Sequence, residues 1–230
     1  MNSTSSSKKI VKKEKIYLKY LDFNHRRLSD KAKEYRHEVS HLTSDLQHIN
    51  QKIQRQVALC RYIIDTLSKV NKTYRLSKQY FTDFDTLLYH MENFVLRLYA
   101  YKEKLSLFIN FSFDLGYLES DRGLYDRLIK NKKVNKNLIT TELKKLNQEV
   151  FKKLFKRRKL MTHLVYYKPE SYIHLLYPNL SIKKEGLKKV TMEWRKQIIK
   201  ETEYIDICLV KIFEINKKIT NKTIEYLNRN

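Results

Sequence analysis

From Leu28 to Leu67 the chain reads LSDKAKEYRHEVSHLTSDLQHINQKIQRQVALCRYIIDTL. Apolar or aromatic residues stand at Leu28, Ala32, Tyr35, Val39, Leu42, Leu46, Ile49, Ile53, Cys60, Ile63 and Leu67. Steps of four and three alternate, the heptad period of a packed helical seam. Gln56 interrupts the run, with Val57 beside it. Ser29 offers an N-cap and Asp30 an acidic first turn. Such a helix is about 60 Å long, whereas a compact chain of 230 residues has a radius of gyration of about 17 Å. The seam therefore belongs either against a second copy of the chain or against the C-terminal helix in a long hairpin.

Three more stripes follow. Asn71 to Tyr80 is polar and aperiodic, a connection. Thr82, Asp83 and Asp85 open a second helix whose apolar face is Phe84, Leu87, Leu88, Met91, Phe94, Val95, Leu98, Leu105, Phe108 and Ile109. It ends near Gly116, in a loop that also holds Gly123, followed by a basic, Asn-rich connection from Lys130 to Asn137. A third helix starts near Leu138 and uses Ile139, Leu143, Leu146, Val150 and Leu154. Pro169 and Pro178 bracket a Tyr-rich loop that Gly186 closes. The last helix runs from about Leu187 to Leu227, with Val190, Trp194, Ile198, Ile205, Leu209, Ile212, Ile215 and Ile219 inward. Every Gly and Pro falls outside the four stripes, and only 3 Gly and 2 Pro occur where average usage would supply roughly 16 and 12. Sandwiches, barrels and doubly wound sheets need turn residues at every corner, so the chain reads as all-α. The expected division is a flexible basic tail over 1–28, a long helical extension over 29–80 and a helical bundle over 81–230.

The chain carries 48 Lys and Arg against 25 Asp and Glu, a net charge of +23. That excess points to a polyanionic partner. Heavy use of Lys, Asn, Ile and Tyr, all with AT-rich codons, is the competing explanation. Cys60 and Cys208 form no C-x-x-C and read as free thiols of a reducing cytoplasm. Met1 to Ser7, followed by Lys8 and Lys9, has no apolar core of a signal peptide, and no stretch approaches a membrane span. A cytoplasmic protein with no membrane partner is expected.

Glycine-rich phosphate loops and G-x-S-x-G are absent, as is an acidic cluster for paired magnesium ions. No cofactor or metal is expected. One segment stands out, FKKLFKRRKLMTHLVYY over 151–167. A dense cationic run there precedes a histidine. On a helix Lys159 and His163 lie about 40° apart around the axis, and Arg158 and His163 about 140° apart. Arginine can grip phosphate oxygens bidentately, and histidine titrates near neutrality, so the set suits phosphate chemistry without a metal.

Arg158-x4-His163, between long apolar helices, resembles the R-x4–6-H motif of the HEPN superfamily. The second helix over Tyr89–Tyr99, with Glu92 and Arg97 as supporting residues, is similar to the helix preceding the motif in some members. The resemblance covers roughly Asp83 to Leu227. It implies an all-α, HEPN-like four-helix bundle with the long heptad-patterned helix at its N-terminus. It also implies a metal-independent endoribonuclease of toxin–antitoxin or phage-defence type, acting on RNA as a homodimer with Arg158 and His163 catalytic. An antitoxin or defence-system protein would be a further partner. Lys152, Lys153 and Lys156 would hold the RNA backbone, with Arg157 and Lys159 in support; Arg157 also matches His163 at the six-residue spacing. Lys159 stands where the family often places Asn, Asp or His, and Val165 where some toxins carry a modifiable tyrosine.

Other readings stay open. Arg36-x4-His41 is a second match on the heptad helix, where a solvated charged face is the ordinary reading. Glu92 and Arg97 read more simply as an ion pair, Trp194 as core, and Tyr166, Tyr167, Tyr172 and Tyr177 as loop packing rather than base-stacking groups. A non-catalytic helical module that binds nucleic acid or protein explains charge and heptads as well.

Overall fold

In the computed structural model the seam forms one uninterrupted helix, α1 (Asp30–Lys69). The model describes residues 28–69, 78–155 and 184–229, and among them every regular element is helical. Ser29 caps α1: its Oγ accepts from the Ala32 N–H at 3.2 Å, and its carbonyl accepts from the Lys33 N–H at 2.9 Å. Leu28, Ala32, Tyr35, Val39, Leu42, Leu46, Ile49, Ile53, Val57 and Cys60 are all buried. Val57 restores the seam that Gln56 breaks.

Helix α2 (Lys78–Ser112) begins ahead of the expected Thr82–Asp85 start, and Asp83 is buried in it rather than capping it. Its C-terminal loop is held by Asn110, whose Nδ2 donates to the Tyr117 carbonyl at 2.9 Å while its Oδ1 accepts from the Tyr117 N–H at 3.2 Å. Gly116 and Gly123, both with positive φ, let this loop reverse. Helix α3 (Leu124–Lys130) follows, and then the expected connection over 130–137 is itself helical: α4 (Lys132–Lys136). Asn131 accounts for the difference, because its Oδ1 accepts from the N–H groups of Lys133 and Val134. An Asn-rich run reads as a linker until one of those asparagines caps a turn.

Helix α5 (Ile139–Leu146) passes into a π-helical turn, Asn147–Phe151, and helical backbone resumes over 152–155. The wider turn lets two consecutive bulky residues, Val150 and Phe151, both face inward at 0% exposure. Helix α6 (Lys184–Arg229) starts earlier than expected and takes Gly186 into its first turn instead of leaving it in the loop. The side chains of Val190, Trp194 and Ile198 lie outside the described residues, as do the N-terminal tail and the Tyr-rich loop.

Two compact units divide the chain. The described part of the first consists of α1 up to Asp45, Arg97–Lys152 and α6 from Cys208. Aromatic contacts organise its core: Tyr35 stacks on Phe111 at 5.0 Å, Phe113 on Tyr226 at 4.3 Å, and the Tyr125 ring meets Phe151 edge-on at 5.5 Å. Thr43 of α1 bonds Asn216 of α6 within this unit. The second unit holds α1 from Leu46, α2 up to Leu96, residues 153–155 and α6 up to Ile207. Its core is mainly aliphatic, with Leu46, Ile53, Leu87 and Phe94 near full burial. In each unit the α1 seam is covered by other helices of the same chain, so of the two readings of the heptads the intramolecular one describes this seam.

Candidate functional site

Helical backbone extends to Phe155, with Leu154 buried and Lys152 and Lys153 exposed. Alternation of a buried flank with exposed lysines is what the 151–155 sequence dictates on a helix. Lys156, Arg157, Arg158, Lys159 and His163 lie outside the described residues, as do Tyr166, Tyr167, Tyr172, His174 and Tyr177. Phe155 and Lys184, the described residues on either side of that stretch, both belong to the second unit.

The second motif match, in the first unit, is fully described. Arg36 is 8% exposed, at a small cavity lined by Leu28, Phe108, Thr220, Thr223, Ile224 and Leu227. His41 is exposed, and its ring meets His37 edge-on at 4.5 Å. Five residues of α-helix turn through about 500°, so the two side chains leave α1 about 140° apart. One faces the core and the other solvent.

Glu92 and Arg97 are not paired with each other. Arg97 Nη1 reaches Asp45 Oδ2 at 3.7 Å, with both side chains about half exposed, and Glu92 is exposed. Residues five apart on α2 leave the axis about 140° apart and face different ways, and an α1 carboxylate stands nearer to Arg97.

The second unit contains a polar group that sequence reading missed. Asp206 of α6 accepts from Asn50 Nδ2 at 2.7 Å and from Gln54 Nε2, one α1 turn further on. Burial holds the Asp206 carboxyl above its ordinary range; the two amide donors oppose that shift, and the charge of Glu203 adds to it. His90 of α2, partly buried, has its Nδ1 without a partner among the described residues. Burial, then the charge of Lys52, push its imidazole below the ordinary range. A carboxyl that keeps its proton longer and an imidazole that stays neutral are groups able to hold or accept a proton. Gln47, Asn50 and Gln54, polar residues near the apolar seam, were the available signal; Asp206, between Ile205 and Ile207, gave none.

Cys60 and Cys208 are buried, and neither is part of a disulfide. Burial, with Asp83 nearby, pushes the Cys60 thiol up to about 12, which makes it unreactive. Among the described residues no group of three His, Cys, Asp or Glu side chains is arranged to hold a metal ion, and no helix is long and apolar enough to cross a membrane.

A family model described as HEPN_Cthe2314-like HEPN matches residues 33–228. No curated protein and no solved structure matches the chain.

Proposed function

Because the chain belongs to the HEPN_Cthe2314-like HEPN family, we propose that it is a metal-independent endoribonuclease of toxin or phage-defence type. The family match supports this reading, since its span takes in nearly all of the three long helices, α1, α2 and α6, and the Arg158-x4-His163 motif that lies in sequence between α2 and α6. Arg158 holds the scissile phosphate through its guanidinium fork. His163 takes the proton of the 2′-hydroxyl, whose oxygen attacks phosphorus. The bond to the 5′-oxygen breaks and that oxygen is protonated, leaving a 2′,3′-cyclic phosphate and a 5′-hydroxyl. DNA lacks the nucleophile and is spared. Lys152, Lys153, Lys156, Arg157 and Lys159 draw in the backbone without reading sequence. A single motif cannot make a two-motif cleft, so the active form is a homodimer. An antitoxin or defence-system protein is its regulatory partner.

The test compares the native chain, His163→Ala and His41→Ala on RNA with EDTA present. Loss of about 10²–10⁴ in rate for His163→Ala alone is the expected result. Loss in His41→Ala alone moves the chemistry to α1. Cleavage by both variants at the native rate defeats the mechanism, and RNA binding without any cleavage favours a non-catalytic module. Light scattering should give twice 28.0 kDa.

A further inference from the structure

We propose that the exposed face of α1 in the first unit carries a binding site for a divalent zinc-class ion, with the imidazoles of His37 and His41 as its two protein ligands. Residues 37–41 read HEVSH, the H-E-x-x-H spacing whose two histidines share a helix face one turn apart. On α1 the two rings do meet: both side chains are exposed, and their ring centroids stand 4.5 Å apart with the planes at 85°. Two imidazoles that share an ion, each with a nitrogen about 2 Å from it, have ring centres about 5 Å apart. The pair already stands at chelating distance. No hydrogen bond to another described residue occupies either ring, and the terminal torsion of an imidazole is broad. A turn about χ2 therefore brings one nitrogen of each ring onto the ion while the backbone stays as it is.

The charges around the pair favour a cation. Between residues 34 and 45, α1 carries the carboxylates Glu34, Glu38 and Asp45 against one cation, Arg36, which is 8% exposed. Lys31 and Lys33, further towards the N-terminus, are engaged by Glu119 and Asp30. From α2, Arg97 meets Asp45 and Lys104 lies over the Tyr35 ring. A chain of net charge +23 is thus locally acidic where the two imidazoles meet. Imidazole ligands select zinc, copper or nickel over magnesium and calcium, which prefer oxygen. Among the described residues no third His, Cys, Asp or Glu joins the pair, so the remaining coordination positions fall to water. The inference is therefore of binding and not of metalloprotease catalysis, for which the motif needs a third protein ligand. The site stands whether or not Arg158 and His163 cleave RNA.

The experiment is calorimetric titration of the full chain with Zn²⁺, after treatment with a chelator that is then removed. One ion per chain is expected. His37→Ala and His41→Ala should each weaken binding by about 100-fold or more, since loss of a group that only orients a ligand already costs about 10–100-fold. Alanine at exposed helical positions favours the helix, and circular dichroism verifies that both variants fold. His48→Ala removes an exposed histidine of the same helix, two turns beyond His41 and out of chelating reach, and should bind as the native chain does. Excess Mg²⁺ should not displace the zinc. Absence of zinc binding by the native chain overturns the site, as does a loss under about tenfold in either of the first two variants. An equal loss in His48→Ala, displacement by Mg²⁺, or one ion per two chains also overturns it.

Discussion

In the first unit, Tyr101 donates to Asn216 Oδ1, Asn216 Nδ2 donates to Thr43 Oγ1 at 3.5 Å, and Thr43 donates to the Val39 carbonyl at 2.6 Å. All three side chains are no more than 2% exposed, and none carries a charge. In the second unit the corresponding α1–α6 polar contact is made by Asp206, a half-buried carboxyl held by two amides. A neutral relay fixes the register of three helices at a cost that hardly depends on pH. A half-buried carboxyl fixes register too, but ties that part of the molecule to proton concentration. The aromatic packing follows the same division, with stacked and edge-on pairs in the first unit and a mainly aliphatic core in the described part of the second.

The strongest challenge to this contrast is Phe151→Ala. Phe151 is fully buried between Tyr101 and Tyr125, and its removal should cost about 3–5 kcal/mol, read from the urea midpoint. A loss under about 1 kcal/mol, the scale of an ordinary surface change, would remove the aromatic cluster from the account of the first unit.

Tyr101→Phe sharpens the relay. It leaves the Asn216 oxygen buried without its donor and should cost about 1–3 kcal/mol. Adding Asn216→Leu should recover part of that loss if the penalty is the orphaned oxygen rather than the missing bond.

For Asp206→Asn the pH dependence matters more than the magnitude. A carboxyl whose folded pKa is raised binds more protons in the native state than in the unfolded one between the two values. Stability is therefore greatest below the unfolded pKa and falls as pH rises towards the folded one. Asp206→Asn should flatten that fall while shifting neutral-pH stability by under about 1 kcal/mol. Denaturation curves from acid to neutral pH check it, and an unchanged pH profile would show that Asp206 does not distinguish the units.

The smallest effect belongs to Arg97→Ala, which removes an exposed ion pair with Asp45 and should change stability by under about 0.5 kcal/mol. A larger effect, measured by the same denaturation, would mean that the stem of Arg97 packs as well as pairs.

Much of the molecule is legible in the sequence. The stripe from Leu28 to Cys60, the inward face over 139–154 and the face from Ile205 to Ile219 are buried as their spacing requires, because amphipathic period is a local property of a helix. The α4 turn is not legible, because whether Asn131 caps or links depends on the backbone angle it adopts. The motif residues Arg158 and His163 can be named from spacing and resemblance, and they remain part of the proposal. Asp206 with Asn50 and Gln54 cannot be named, since those partners are 156 and 152 residues away in the chain.

The sequence by itself determined that the chain is helical, which faces are apolar and that the whole is strongly basic, since these follow from composition and from periodicities a few residues long. Tertiary structure decided that the α1 seam is covered within its own chain, that Arg97 meets Asp45, and that Lys211 and Lys222 of α6 pair with Glu149 and Glu142. Those outcomes depend on the register between helices distant in sequence, which is set by packing of the cores and has no short-range signature.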